Sequence, residues 1–267
     1  MKDMKRHILG ISGGKDSTAL AIYMRDKIPD IEYFFCDTGA ELKETYNYLS
    51  QLEKYLGKPI ARLNPDRDFE FWLEYNGNFL PSARQRWCTV LLKLKPLEKF
   101  VGESKAVSYV GIRCDEQERK GYMAPNGNIQ SEFPFIDAGI DKKGVLKILE
   151  DSGVGLPKYY EWRSRSGCYF CFFQRKMEWV GLLQRHPSLF KKAKAFEKFD
   201  EKTGKRFTWN EQESLEELSN PERVEEIIKK HNKQVELEKL KNKPLYEVFE
   251  DALDEEDDIE PCQICNL

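Results

Sequence analysis

The 267-residue chain lacks the long hydrophobic runs of a membrane protein. No uninterrupted apolar stretch approaches the roughly 20 residues that a membrane-spanning helix needs. The N-terminal segment Met1–His7 is charged and leads into a strand-like pattern, which is unlike a secretory signal peptide. We therefore expect a soluble, cytoplasmic protein that does not associate with membranes. Its apolar content of 40% excludes a wholly disordered chain.

Histidine is scarce, with three residues, whereas the cysteine count is an odd seven. Two pairs have Cys-x-x-Cys spacing, Cys168 with Cys171 and Cys262 with Cys265. Without an export signal, this arrangement favours metal binding or redox chemistry over a framework of disulfides.

The net charge of −3 is unevenly distributed, because Glu247–Glu260 holds nine acidic side chains and no basic one. Removing those nine charges from −3 leaves +6 on the rest of the chain. This balance permits a phosphate-rich ligand or a nucleic acid and establishes neither. The acidic run is typical of a solvated tail, and a basic protein partner could dock on it.

Short apolar runs alternate with amphipathic helical patterns in the first half. The predicted strands are 7–11, 32–37, 60–64 and 106–111, and the predicted helices include 16–25 and 41–55. This alternation predicts an α/β fold, a mainly parallel sheet with flanking helices, followed by a helical C-terminal region in which one helix begins at Pro221. Ligands of such sheets bind beyond the carboxyl ends of the strands.

The segment Ser12–Ser17 connects the first predicted strand to a helix. Such a turn is an anion site, because unpaired backbone N–H groups converge there and the helix dipole adds positive potential. Gly13 and Gly14 allow close approach of an oxyanion, and the hydroxyls of Ser12 and Ser17 are further donors.

Lys15 and Asp16 carry the charges of this turn. Lys15 is a positive point charge for a bound phosphate. Asp16 would repel phosphates unless a divalent cation lay between them, so we assign it to magnesium. The Walker loop is excluded because Leu9 stands where that loop needs a glycine. The dinucleotide fingerprint is excluded because Ser12 stands where it needs its second glycine.

The residues of Ser12–Ser17, Ser-Gly-Gly-Lys-Asp-Ser, match in full the pattern of the PP-loop. The chain thus resembles the ATP pyrophosphatase superfamily, with its adenine nucleotide alpha hydrolase-like fold. The resemblance implies that ATP is split to AMP and pyrophosphate while an oxygen of an acceptor is activated as its adenylate.

Two further segments resemble the branch of phosphoadenosine-phosphosulfate (PAPS) reductase-like proteins. Asp37-Thr38-Gly39 is similar to a segment that this branch places near the nucleotide, and a simple strand-to-helix turn is the alternative. Gly111–Glu116 with Arg119 is similar to the Gly-Ile-Arg-x-x-Glu element. Arg113 and Arg119 are therefore candidates to bind the nucleotide or an acidic substrate, with ordinary surface arginines as the alternative.

The iron-sulfur members of this branch combine a Cys-x4-Lys-x2-Pro segment with a later Cys-x-x-Cys. Cys88, followed by Lys93 and Pro96, is similar to the first, and Cys168 with Cys171 to the second, 80 residues after Cys88. The resemblance implies that these thiolates ligate an iron-sulfur cluster, with zinc as the alternative.

Positive charge surrounds both cysteine segments and favours thiolates, since 84–100 and 163–176 each sum to +4. The cluster-bearing reductases have two adjacent cysteines at the first site, whereas Cys88 stands alone, so a fourth ligand is missing. Cys262, Cys265 or a substrate atom could supply it. The C-terminal pair could instead be a redox couple or part of an exposed tail.

The complete PP-loop favours ATP as the substrate, because the reductases act on an activated sulfonucleotide and relax the loop. The leading hypothesis is an ATP pyrophosphatase that adenylates a nucleic-acid or small-molecule acceptor for sulfur transfer, similar to the ATPases of DNA phosphorothioation. Lys15, Asp16, Arg113 and Arg119 are its candidate catalytic residues. The alternatives are a thiol-dependent PAPS or APS reductase and a non-catalytic nucleotide-binding subunit of a larger complex.

The motifs divide the chain into three predicted regions. A PP-loop nucleotide-binding α/β domain covers 1–153, a Cys-x-x-Cys segment with a helical region covers 154–246, and an acidic tail covers 247–267.

Overall fold

A computed structural model of the protein describes residues 5–116, 119, 122, 127–200, 204–210 and 212–240. These residues divide into two compact units. The first contains the described residues of 5–75 and 86–168, and the second those of 76–85 and 169–240. Within the described part of the chain, no helix is both long and apolar enough to cross a membrane.

Five parallel strands form the central sheet of the first unit. They are β1 (Arg6–Gly10), β2 (Glu32–Cys36), β3 (Ile60–Leu63), β4 (Ala106–Tyr109) and β5 (Ile129–Glu132). Their spatial order is β3-β2-β1-β4-β5, and every neighbouring pair is parallel. The order reverses between β1 and β4. The loops after these two strands therefore flank a topological switch point, which is where α/β sheets bind ligands.

The helices of the first unit connect these strands. They are α1 (Lys15–Met24), α2 (Lys43–Leu56), α3 (Phe69–Tyr75), α4 (Trp87–Thr89), α5 (Lys95–Val101), α6 (Pro134–Asp137) and α7 (Lys142–Asp151). A π-helical turn, Val90–Leu94, joins α4 to α5, and a 3₁₀ turn covers Lys158–Glu161.

Both faces of the sheet are covered, so the buried residues of its central strands β2, β1 and β4 are mostly apolar. Successive residues of β1 point to opposite sides. Leu9 packs in a buried cluster with residues of α1, α2 and α7, whereas Ile8 packs with Leu97 and Val101 of α5. This two-sided burial fixes the register of β1 and hence the position of the loop that follows it.

The structure confirms the predicted α/β class and the four predicted strands, with ends that differ by one or two residues. Strand β5 was not predicted, because its sequence Ile-Gln-Ser-Glu has one buried apolar residue, Ile129, and no alternating pattern. It adds a fifth parallel strand at the edge beside β4.

The second unit is mainly helical, as predicted, and includes a short hairpin that was not predicted. Its elements are α8 (Lys176–Arg185), α9 (Pro187–Ala195), β6 (Lys198–Asp200), β7 (Lys205–Phe207), α10 (Leu215–Leu218) and α11 (Pro221–Leu240). The predicted start of a helix at Pro221 is confirmed. The core of the second unit contains Trp209. Its ring stacks on Phe170, and its indole N–H donates to the carbonyl of Ala193 at 2.8 Å.

The division differs from the boundary predicted after residue 153, because 154–168 lies in the first unit. The hydroxyl of Tyr159 donates to the carbonyl of Gly13 at 2.7 Å and fastens this segment to the loop after β1. A composition change marks the start of the segment in the sequence, but its packing partner lies far away in the chain. The predicted acidic tail, 247–267, lies outside the described residues.

Candidate functional site

The PP-loop, residues 12–17, lies at the carboxyl end of β1 beside the switch point. Helix α1 begins at Lys15, and Gly14 is its N-cap residue. Gly13 has φ of +78°, and a Cβ built on it would lie 2.8 Å from Cγ2 of Thr45. Glycine at this position is therefore required both by the left-handed backbone and by the close approach of α2.

The serine hydroxyls of the PP-loop hold its turn together. Ser17 Oγ accepts from the amide of Ser12 at 3.1 Å and lies 3.1 Å from Ser12 Oγ. Ser12 Oγ in turn accepts from the amide of Gly14 at 3.3 Å. The structure thus brings Ser12, Gly14 and Ser17 together as predicted. Their binding of phosphate stays a prediction.

Asp16 is held between two cations. Lys15 Nζ lies 3.0 Å from its Oδ2, and Arg113 Nη1 lies 3.0 Å from its Oδ1. Gly111 makes this arrangement possible, because a Cβ there would lie 3.0 Å from the carbonyl oxygen of Asp16. The loop after β4 therefore rests directly on the PP-loop, and Lys15 and Arg113 both lie at the switch point.

Glu116 accepts hydrogen bonds from both of the predicted arginines. It accepts from the backbone amide of Arg113 at 3.2 Å through Oε2 and from Nη1 of Arg119 at 2.8 Å through Oε1. Arg113 Nε also donates to Asp115 at 2.9 Å. Burial would raise the pKa of Asp115, but the hydrogen bond and charge of Arg113 outweigh it and hold that pKa below its usual range. Both arginines are thus positioned by acidic partners.

Asp37 closes the turn between β2 and α2. Its Oδ1 accepts from the amide of Gly39 at 3.0 Å and from the hydroxyl of Tyr46 at 2.7 Å. Burial and the bond to Asp37 together raise the pKa of Tyr46. Gly39 takes a left-handed φ of +71°. These contacts are those of the strand-to-helix turn, and contact of Asp37 or Gly39 with a ribose or a metal stays a prediction.

A small polar pocket opens at the carboxyl ends of β1 and β2. It is lined by Ser12, Phe35, Cys36, Glu41, Lys93, Ser166 and Gly167. Glu41 Oε1 accepts from the hydroxyl of Thr38 at 3.1 Å, and its buried Oε2 has no hydrogen-bond partner. Burial raises the pKa of Glu41, and the positive charges of Lys93 and Arg163 oppose that rise.

Cys168 lies beside this pocket. Its Sγ is 3.1 Å from the hydroxyl of Thr38 and donates to Glu41 Oε1 at 3.7 Å. The guanidinium of Arg163 donates to the carbonyls of Gly167 and Cys168 at 2.9 and 2.8 Å. The structure therefore brings one predicted metal ligand into contact with Thr38, a predicted nucleotide-binding residue.

The other predicted metal ligands belong to the first unit, to the second unit and to the part of the chain outside the described residues. Cys88 is half-buried in α4 of the first unit, Cys171 belongs to the second unit, and Cys262 and Cys265 lie outside the described residues. No group of three or more histidine, cysteine or acidic side chains in the described ranges could hold a metal ion. The three-thiolate site and its cluster or zinc stay predictions. Asp16 suits magnesium better, since that ion typically takes one or two carboxylates together with substrate phosphates.

Three contacting residues were missed by the sequence analysis. Tyr159 bonds to the Gly13 carbonyl, Tyr160 accepts from the amide of Lys15 at 3.0 Å, and Ser166 donates to Ser12 Oγ at 3.1 Å. They lie 145 to 154 residues after their partners. No sequence pattern marks them, because an aromatic and basic stretch is equally typical of simple packing.

Comparison with known proteins identifies the family. The profile of the phosphoadenosine phosphosulfate reductase domain matches residues 6–138. Residues 6–138 belong to this domain family, which confirms the predicted PAPS reductase-like branch.

The chain is also similar to curated proteins and to a solved structure. The chain is 29% identical over 189 residues to the uncharacterized protein MJ0973 of Methanocaldococcus jannaschii, covering 68% of this chain and 45% of that protein. It is 26% identical over 111 residues to an adenosine 5'-phosphosulfate reductase of Salinibacter ruber, covering 42% of this chain and 44% of the relative. The chain therefore spans less than half the length of these two relatives. A PAPS reductase from Candida auris, crystallised as a phosphate complex, aligns with a TM-score of 0.47 and 14% identity over 62% of this chain and 82% of that one.

Proposed function

We propose that this chain binds ATP at the PP-loop and cleaves it between the α and β phosphates to adenylate an acceptor for sulfur transfer. The observation that carries the proposal is the convergence of Lys15, Asp16 and Arg113 around a complete PP-loop at the switch point of the sheet. The loop presents the first amides of α1, a ten-residue helix, whose dipole favours an anion at this end.

The chemical step is a displacement at the α-phosphorus. An oxygen of the acceptor forms a bond to this atom, the bond to the oxygen bridging the α and β phosphates breaks, and that oxygen leaves with pyrophosphate. Lys15 neutralises the negative charge that grows on the leaving group. Magnesium, when bound through Asp16 and the phosphates, would add charge neutralisation of the same kind.

Arg113 has a positioning role in this scheme. It holds the Asp16 carboxylate from the side of β4, while Lys15 holds it from the side of α1. Lys15 is the cation of this network that belongs to the PP-loop itself, and its charge favours a polyphosphate there. Arg119 reaches the same loop through Glu116 and is the second candidate for binding the nucleotide or an acidic substrate.

The location of Cys168 supports a sulfur-transfer step. Its thiol contacts Thr38, and Ser166, two residues earlier, bonds to Ser12 of the PP-loop. In this step a hydrosulfide ion forms a bond to the activated carbon of the adenylated acceptor. The bond from that carbon to oxygen breaks, and AMP leaves.

A thiol-dependent sulfonucleotide reductase is the second candidate. The matched domain family and the relative named as an adenosine 5'-phosphosulfate reductase favour it. In that reaction a cysteine thiolate attacks the sulfur of the sulfonucleotide, an S-sulfo group forms on the cysteine, and the nucleotide leaves. The predicted nucleophiles, Cys262 and Cys265, lie outside the described residues.

Product analysis tests the proposal. The protein is incubated with ATP, magnesium and a pool of cellular small molecules and nucleic acids, and AMP-linked products and pyrophosphate are measured by mass analysis. We expect both to form. Sulfite release from PAPS or APS with a thiol reductant, without any AMP-linked product from ATP, would instead establish the reductase. Binding of ATP without either reaction would leave the chain as a nucleotide-binding subunit.

A further inference from the structure

The amide of Lys15 has a hydrogen-bond acceptor supplied by the chain itself. This amide belongs to the first turn of α1, whose N–H groups have no partner within the helix and are the groups that a phosphate oxygen would take. The phenolic oxygen of Tyr160 accepts from it at 3.0 Å. Burial raises the pKa of Tyr160, so its hydroxyl is uncharged at neutral pH and offers a lone pair in place of an anionic oxygen.

Tyr160 belongs to a segment that we call the strap, residues 158–168. Within the strap, Tyr159 donates to the carbonyl of Gly13 and Ser166 donates to Ser12 Oγ. A Cβ on Gly14 would lie 2.8 Å from Ser166 Oγ, so the strap covers the PP-loop at van der Waals distance. The strap thus contacts the loop along most of its turn.

The two adjacent tyrosines differ in what they occupy. Tyr159 donates to a carbonyl oxygen, an acceptor that a bound anion does not use. Tyr160 takes an N–H donor that a bound anion needs. Their rings stack with centroids 5.1 Å apart, so the two hydroxyls approach the PP-loop from neighbouring positions.

We propose that Tyr160 is a displaceable substitute for a phosphate oxygen, which closes the PP-loop when no nucleotide is bound and leaves the Lys15 amide when one binds. The proposal rests on the anion site of the proposed function but not on cleavage of ATP. It assigns to the strap a conformational change that accompanies nucleotide binding.

Hydrogen bonds within the strap connect the two tyrosines to Cys168. The amide of Arg163 donates to the carbonyl of Tyr159 at 2.9 Å, which places Arg163 on the same turn as the tyrosines. Its guanidinium holds the carbonyls of Gly167 and Cys168. Displacement of Tyr160 therefore loosens the segment that positions Cys168, so that the cysteine responds to an occupied PP-loop.

Calorimetric titration with inorganic pyrophosphate and with magnesium-ATP tests the competition. Tyr160→Phe removes the competing hydroxyl and keeps the ring, so both ligands should bind about 3- to 10-fold more tightly, the effect of one neutral hydrogen bond. Tyr159→Phe is the matched control, because it removes a hydroxyl that does not compete, and it should not tighten binding. Equal or weaker binding by Tyr160→Phe would overturn the proposal.

Hydrogen exchange of the wild-type protein tests the displacement without any substitution. Pyrophosphate should slow amide exchange in residues 12–17 and accelerate it in residues 158–163. Slower exchange in both segments would show that the strap closes over the ligand, and the proposal would then be wrong. If neither pyrophosphate nor ATP binds, the proposed function fails as well. If the strap responds as expected but no AMP forms, only the proposed function fails.

Discussion

The guanidinium of Arg113 donates to Oδ1 of Asp16 at 3.0 Å and so joins the loop after β4 to the loop after β1, across 97 residues of sequence. Both side chains are only 11% exposed. Because a partly buried charge that loses its partner is costly, this ion pair links the stability of the two loops to the chemistry they share.

A double-mutant cycle on Arg113 and Asp16 should separate their contribution to stability from their contribution to pyrophosphate release. Arg113→Met alone leaves Asp16 short of one partner and should lower the free energy of unfolding by about 1 to 3 kcal/mol. Adding Asp16→Asn removes the orphaned charge and should restore much of that stability, while pyrophosphate release stays lost in the double variant. Denaturant unfolding and a pyrophosphate assay measure the two quantities. Additive effects on stability would mean that the two side chains are not coupled.

Lys15 should be required for turnover and not for folding. Lys15→Met removes the charge that faces the leaving pyrophosphate, so the rate of release should fall at least about 100-fold. The circular dichroism spectrum should stay that of the wild type. Lys147→Met is the matched control, since Lys147 is 73% exposed on α7 and pairs with Asp151. Release of pyrophosphate by Lys15→Met at the wild-type rate would show that Lys15 does not neutralise the leaving group.

Replacing Gly111 by alanine should lower the affinity for ATP as well as the stability of the fold. Gly111→Ala places a Cβ 3.0 Å from the Asp16 carbonyl, and the backbone must shift at a cost of about 1 to 3 kcal/mol. Because the shift moves the PP-loop, ATP affinity should fall as well. Gly57→Ala, at a left-handed φ of +66° with open space around it, should cost about 1 to 2 kcal/mol and leave ATP affinity unchanged. Equal ATP affinity in the two variants would contradict the proposed effect of the contact between Gly111 and Asp16 on the PP-loop.

Glu41 should make stability depend on pH in an unusual direction. Its pKa is raised by burial in the folded state, so the unfolded chain releases this proton at a lower pH than the folded chain does. The contribution of Glu41 is therefore most favourable below the unfolded pKa, near the usual glutamate value of about 4.3, and it is lost as the pH rises through the folded pKa. Glu41→Gln, which cannot ionise, should become increasingly stable relative to the wild type as the pH rises from 4 to 8. A stability difference that is constant over this range would show that the pKa is not raised.

Metal content should depend on Cys88 and Cys168 if the predicted cluster or zinc site exists. After anaerobic purification the wild-type protein should be brown and contain iron, or be colourless and contain zinc. Cys88→Ser and Cys168→Ser should each lose the metal. Cys114→Ser is the control, because Cys114 is not among the predicted ligands and this variant should keep the full metal content. Full metal content in Cys88→Ser would show that the wrong cysteines were grouped.

The extent of sequence prediction differed between elements. Strand β1 and the PP-loop were predictable, because a buried strand, two glycines and a helix start follow one another within a dozen residues. Strand β5 was not, since a four-residue edge strand with one buried apolar side chain has no distinctive pattern. The hairpin of β6 and β7 was missed for the same reason, as each of its strands has three residues.

The candidate site shows the same division. Lys15, Asp16 and Arg113 were identified as residues, but that Asp16 sits between the two cations could not be read from the sequence. The burial of Glu41 was not foreseen, because a charged residue at the start of a predicted helix is usually exposed. Two of the cysteines that the sequence grouped by spacing, Cys262 and Cys265, lie outside the described residues, so the grouping stays a prediction.

The chemistry of the PP-loop can be read from the sequence, because glycine, lysine and aspartate act there through the backbone of their own turn and the helix that follows it. The residues that contact this loop from elsewhere are set by packing: Arg113 from the loop after β4, and Tyr160 and Ser166 from the strap. The two cases differ in the sequence separation of the interacting residues. A turn and a helix start depend on neighbours a few residues away, whereas a hydrogen bond across about 150 residues exists only after sheet and helices have packed.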